Sequence, residues 1–192
     1  MSRQFWEEAL AWATASGTAV ANTTTETILF PNITIPANYM QDGRVLKLTA
    51  YGGYGTTGTP TLQFAIRWGG VSGTVLAQQA ANVTTSGVGA GASMTAPWFL
   101  EAVIQTRSNG STGTLYTMGT TTLFTSTLLT AGTVTNYGQV APLTSGSGGG
   151  FTPAAVTVDL TADTALSLTA DWGTANAANS SQGHVFTVEA LN

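Results

Sequence analysis

His184 is the only histidine in the chain, and there is no cysteine. A nucleophilic triad would need His184 to meet both a serine and a carboxylate, and no G-x-S-x-G elbow leads into a helix anywhere in the sequence. His184 alternates with Phe186 and Val188 in a β-prone stretch. That spacing predicts a strand histidine sharing a face with apolar neighbours. Without cysteine there is no thiol nucleophile, no disulfide and no thiolate zinc site.

The acids offer a second kind of chemistry. Asp159, Asp163 and Asp171 lie close in sequence around a turn between two predicted strands, and a carboxylate pair can run glycoside hydrolysis. Alternation turns Asp159 and Asp171 away from the apolar stripes and leaves Asp163 in the turn, so solvated acids and an Asp-supported turn are expected. Carboxylates and loop carbonyls also suit a weak calcium site, but the D-x-[DN]-x-[DN]-G spacing is absent. Gly87-Val-Gly89-Ala-Gly91 imitates part of a dinucleotide fingerprint, yet no helix follows to offer its N-terminus to a phosphate. The sequons at Asn22, Asn32, Asn82, Asn109 and Asn179 are read as silent products of a Ser- and Thr-rich composition. Tyr51, Tyr54, Tyr116, Tyr137, Trp68 and Trp172 are the aromatics that could stack on sugars. Trp68 and Trp172 fall on inward faces of their strands and are read as core. These residues predict no catalytic residue, metal site or cofactor.

The elements that would position them are mostly strands. Leu62, Phe64, Ile66 and Trp68 share one face of a run over Thr61–Trp68, with Gln63, Ala65 and Arg67 on the other. Val45–Tyr51, Thr74–Gln78, residues 97–107, Thr114–Phe124, the Val156–Leu160 and Leu166–Trp172 faces, and Gly183–Leu191 follow the same period. Pro31 within Thr27–Ile35 marks an edge strand or bulge. Gly52–Pro60 and Ser108–Gly113 read as hairpin loops, the second on an Asn-Gly turn. Ser86–Ala96 is Gly- and Ala-rich and is expected to be flexible, and residues 125–153 form a long weakly patterned loop. No helical crossovers separate the strands. The prediction is therefore all-β: an antiparallel β-sandwich, jelly-roll-like, with one short N-terminal helix.

That helix is expected over residues 2–15. Ser2 caps it, Glu7 and Glu8 lie near its start, and Phe5, Trp6, Ala9, Leu10, Trp12 and Ala13 form an apolar stripe. Phe5, Trp6, Leu10 and Trp12 are the candidate interface residues, packing either on the home domain or, as a docking arm, on a partner subunit. Residues 1–26 form this helix and arm, and 27–192 form the sandwich domain.

Composition bounds the partners. Only 7% of the 192 residues are charged, against about a quarter in an average soluble domain. Thr, Ser, Gly, Asn and Ala fill the places charges would take. Such a surface has little long-range field and suits close packing against neighbours. A net charge of −4 and scattered basic residues argue against nucleic acid. No apolar run reaches a membrane span, so no membrane partner is expected. Glu7 and Glu8 within the first apolar stretch are unlike a Sec-type signal peptide, which predicts a product made soluble in the cytoplasm.

Gly58–Gly70 (GTPTLQFAIRWGG), Ala96–Gly119 (APWFLEAVIQTRSNGSTGTLYTMG) and the run from Val158 to Asn192 resemble small virion proteins of tailed bacteriophages, over roughly residues 27–192. The resemblance is one of strand pattern and Thr/Gly/Ala-rich, cysteine-free composition. It implies a jelly-roll capsid decoration (cement) protein, a homotrimer on the major capsid protein that stabilises the shell of the virion by burying surface. Tail-tip and head-fibre proteins are similar in fold and composition. The alternative it leaves is an adsorption module that binds host receptor or glycan through loops 52–60 and 125–153, with Tyr54 and Tyr137 as contacts. A sandwich hydrolase on Asp159, Asp163 and Asp171 is the third reading.

Overall fold

The structure, a computed structural model, describes residues 7–57, 60–79, 96–124, 139–145 and 153–191. They form one large antiparallel sheet, with no helix among the described residues. In chain order the strands are β1 (Glu8–Trp12), β2 (Val20–Ala21), β3 (Thr27–Ile28), β4 (Ile33–Ile35), β5 (Val45–Gly55), β6 (Leu62–Trp68) and β7 (Thr74–Gln79). They continue with β8 (Ala96–Ser108), β9 (Gly113–Leu123), β10 (Gln139–Thr144), β11 (Ala155–Val158), β12 (Thr164–Trp172) and β13 (Ser180–Ala190).

Neighbours across the sheet run β1-β13-β5-β8-β9-β10-β7-β6-β12-β3, with β2 beside β13, β4 beside β12 and β11 beside β9. Three pairs nest around the β8–β9 hairpin: β7 with β10, β6 with β12, and β5 with β13. The expected Asn-Gly turn makes that hairpin. Gly110 takes φ of 102° and its carbonyl accepts Gly113 N–H at 3.0 Å. Asp42 Oδ1 fixes the turn by accepting Asn109 N–H at 2.7 Å.

The period-two faces meet in one core. Leu46, Leu48 and Ala50 of β5, Leu100, Ala102 and Ile104 of β8, Leu62, Phe64 and Ile66 of β6, and Leu166, Leu168 and Ala170 of β12 are all buried in the same cluster. Each large side chain taken fully out of water there contributes about 1.5–3 kcal/mol. Phe64 of β6 meets Trp98 of β8 at a ring-centroid distance of 4.8 Å, although those strands are not sheet neighbours. The sheet therefore folds back over itself. The buried tryptophans also satisfy their indole donors. Trp98 Nε1 donates to Gly53 O at 3.2 Å, Trp68 Nε1 to Asp159 O at 3.1 Å, and Trp172 Nε1 to Val20 O at 3.0 Å.

Three local expectations are corrected. The N-terminal helix expected over 2–15 is not formed by its described residues: Glu8–Trp12 is strand β1, paired with β13 from Glu8↔Ala190 to Trp12↔Thr187. A bulge between Ala9 and Ala11 interrupts its alternation, and the resulting apolar spacing imitates a helical stripe. Gly52–Gly55 is not hairpin loop but the end of β5, because a Cβ at Gly52 would overlap both the Trp98 ring and the Gln182 carbonyl. Within the stretch expected as a long loop, Gln139–Thr144 forms β10 and joins β9 to β7. The Gly-rich run 86–95 lies outside the described residues.

Candidate functional site

The candidate catalytic residues do not converge. Ser16 Oγ lies 2.8 Å from His184 Nδ1, both side chains exposed, and no carboxylate holds the ring among the described residues. His184 does not share the Phe186 face, because the bulge between Gly183 and Val185 turns it outward. Asp159 accepts Thr161 N–H at 2.8 Å and the Thr161 hydroxyl at 2.6 Å. Those two bonds hold its carboxyl below the usual range. Asp163 accepts Ala37 N–H at 2.8 Å. Each acid thus serves its own turn or neighbour, and no group of three or more metal-binding side chains assembles among the described residues.

Asp171 departs from the reading of a simple solvated acid. It is half-buried on β12 beside the Glu26–Arg67 pair. Burial pushes its carboxyl up to about 6, neighbouring Glu26 adds to the rise, and Arg67 opposes it. Arg67 is committed elsewhere. Its Nε and Nη2 each reach a Glu26 carboxylate oxygen at 2.5 Å, and Nη1 donates to Gly73 O at 2.8 Å. The Thr169 hydroxyl also donates to Glu26. Three sequence-distant segments supply this cluster, which no local motif announces.

The aromatic candidates separate cleanly. Trp68 and Trp172 are core, as expected. Tyr54 is fully buried and donates to Phe124 O at 2.8 Å, so it cannot stack on a sugar. Tyr116 carries Arg107 over its ring at 5.1 Å, and Tyr137 lies outside the described residues.

Two apolar surfaces remain. The first is the outward face of β13, β5, β8, β9 and β10. The register sets Val185, Tyr51, Phe99, Thr122 and Val140 in one row across five strands, about 19 Å wide at the usual strand spacing. Tyr51 and Phe99 touch at 4.7 Å between ring centroids. Val140 is 69% exposed, and Val185, Tyr51, Met118 and Val103 lie between 40% and 49%. Met118 sits opposite Val103 in a parallel row. Lys47 stands in that second row beside Val103, and it pairs at 3.4 Å with Glu101 of the row between. Single exposed apolar residues are ordinary, but a contiguous face of them marks a contact surface.

The second surface is a slot of about 780 Å³ lined by Leu10–Thr18 on one side and Thr27–Thr34 on the other, with Phe186 beneath. It separates the two ends of the sheet: β1 pairs with β13, and β3 and β4 pair with β12, but nothing pairs the two ends with each other among the described residues. The two sides are in contact where a Cβ on Gly17 would overlap the Leu29 carbonyl. Past the start of the slot, the Tyr39 hydroxyl donates to Glu8 Oε2 at 2.9 Å. The floor is a stacked pair, Phe30 on Phe186, 4.7 Å apart and 10° from parallel. No lining side chain is charged.

Of the expected interface residues, Leu10 is half-buried against the core and Trp12 stands 63% exposed on the rim of the slot. Phe5 and Trp6 lie outside the described residues. Sequence reading missed the outward row, because its members sit singly on five strands and only the register collects them. Comparison with protein-family models, with curated proteins and with solved structures found no match of any kind.

Proposed function

We propose that this chain is a non-enzymatic structural protein of a tailed-bacteriophage particle, which decorates and stabilises the capsid shell by packing against the major capsid protein and against its own copies, as a trimer. The observation that carries the reading is the outward row Val185–Tyr51–Phe99–Thr122–Val140, a mostly apolar strip across five strands of a chain with very few charges. Such a face gains from being covered and gains little from electrostatic steering. Its width is that of a modest contact, and many weak contacts repeated over a lattice hold where one alone would not.

The finer reading of the fold is a jelly-roll-like sandwich. Its support is the nesting of β5/β13, β6/β12 and β7/β10 around the β8–β9 hairpin, together with the Phe64–Trp98 contact across the core.

The test is the copy number of the chain in purified particles, measured by quantitative mass spectrometry against the main shell subunit. A simple ratio to that subunit supports decoration. A few copies per particle would move the chain to a tail or head fibre, where receptor or glycan binding becomes the working function. Absence from particles would overturn the virion reading.

A further inference from the structure

Asn109 and Gly110 lie in the turn between β8 and β9 and are the only Asn-Gly pair in the chain. Glycine has no Cβ to crowd its own backbone nitrogen. Gly110 N can therefore approach the side-chain amide carbon of Asn109 more closely than a residue with a side chain would. Asn109 is exposed and Gly110 partly so, and a Cβ built on Gly110 meets nothing within 4 Å. The Gly110 carbonyl accepts two bonds, from Gly113 N–H and Leu160 N–H, each at 3.0 Å, but among the described residues its N–H donates none. The Asn109 amide is held by one bond, Nδ2 donating to Gln41 Oε1 at 2.9 Å between two exposed side chains, and water readily replaces a bond of that kind.

A second pair beside the turn makes the contrast. Asp42-Gly43 is the only Asp-Gly pair in the chain and carries related cyclisation chemistry. It packs against the turn, Asp42 Oδ1 accepting Asn109 N–H at 2.7 Å, and both its residues are exposed. Gly43 N–H is committed, however, donating to Thr106 O at 3.1 Å. One glycine nitrogen is free to act as a nucleophile, and the other is tied to β8.

We propose that Asn109 is a self-modification site, at which Gly110 N displaces the side-chain amide and the turn residue becomes isoaspartate or aspartate. The bond from Gly110 N to Asn109 Cγ forms as Gly110 N gives its proton to water. The Cγ–Nδ2 bond breaks, and the nitrogen takes a proton back from water and leaves as ammonia. Water then opens the cyclic imide, at the main-chain carbonyl carbon to leave isoaspartate or at Cγ to leave aspartate. Nothing is oxidised or reduced; one water is consumed and one ammonia released. Either product sets a new carboxylate beside Asp42, and like charges at that range repel. Isoaspartate also inserts a methylene into the main chain just ahead of the Gly110 carbonyl that holds Gly113 and Leu160. The modification loosens the hairpin around which the strand pairs nest.

The test incubates the full chain at pH 8.5, in native buffer and in guanidinium chloride. Peptide mapping with electron-transfer fragmentation, which tells isoaspartate from aspartate, follows both pairs. Native Asn109 is expected to convert at close to its rate in the denatured chain, and native Asp42 at least tenfold more slowly than when denatured. Protection of Asn109 by tenfold or more, or no protection of Asp42, would overturn the site. Hydrogen exchange reads the premise separately: Gly110 N–H is expected to exchange faster than Gly43 N–H, and the reverse order would overturn it. The converted chain, isolated by ion exchange through its added negative charge, is expected to melt below the fresh chain, and an unchanged midpoint would overturn the loosening. Particle copy number bears on none of these readouts, so failure here leaves the proposed function standing, and the reverse.

Discussion

Arg67 grips Glu26 through two parallel bonds of 2.5 Å, and the pair ties the segment before β3 to the face of β6. Both side chains are largely buried, 17% and 22% exposed. Bidentate geometry and partial burial make this pair worth more than an open surface bridge. Removing the Glu26 carboxylate costs Arg67 both short bonds and leaves only the half-buried Asp171 nearby. Glu26→Gln is expected to destabilise the fold by about 2 kcal/mol, measured by denaturant unfolding. No change in the midpoint would show that the pair is screened.

Asp171 gives the fold a pH dependence of definite sign. Its carboxyl titrates near 6 in the folded chain, above its ordinary value of 3.8. Below about 6 the folded state holds a proton that the unfolded state has released, so stability rises as pH falls from neutral toward 5. Thermal melts are expected to show a higher midpoint at pH 5 than at pH 7.5, and Asp171→Asn should flatten that difference. An unchanged slope in the variant would assign the effect to another group.

Phe64→Ala removes the ring that meets Trp98 across the core. The site is fully buried, so the loss is transfer energy plus a cavity, about 3–5 kcal/mol. Equilibrium unfolding reads it directly, and a loss under 1 kcal/mol would mean that the two halves of the sheet do not share one core.

The outward face should behave in the opposite way. Met118→Ser with Val140→Ser removes exposed apolar area, so stability should move by no more than about 0.5 kcal/mol per site. Association with particles or with other copies should weaken several-fold in a sedimentation assay. Retained association with the fold intact would place the contact elsewhere.

The long strands were legible because their inward residues alternate without interruption, as Leu62, Phe64, Ile66 and Trp68 do in β6. Where a bulge breaks the alternation the reading failed. Leu10 falls at a bulge in β1, and the misplaced period produced a helix. His184 falls at a bulge in β13 and was assigned the wrong face. β10 lies in a weakly patterned stretch that reads as loop, although β9 pairs that strand along its whole length. The Glu26–Arg67–Asp171 cluster and the outward apolar row were not legible at all. Both are assembled by the register of strands far apart in the chain, and a single sequence carries that information only through pairing.

The nested pairing also dictates when the protein can become itself. β5 lies between β8 and β13, and among the described residues β1 pairs with β13 alone. During synthesis β1 and one edge of β5 wait unpaired until Ser180–Ala190 has left the ribosome. Such long-range closures are slow, and waiting strands are open to mispairing with other nascent chains. The order of the chain thus sets a lag between making an edge and covering it, and that lag lasts until β13 is available to pair.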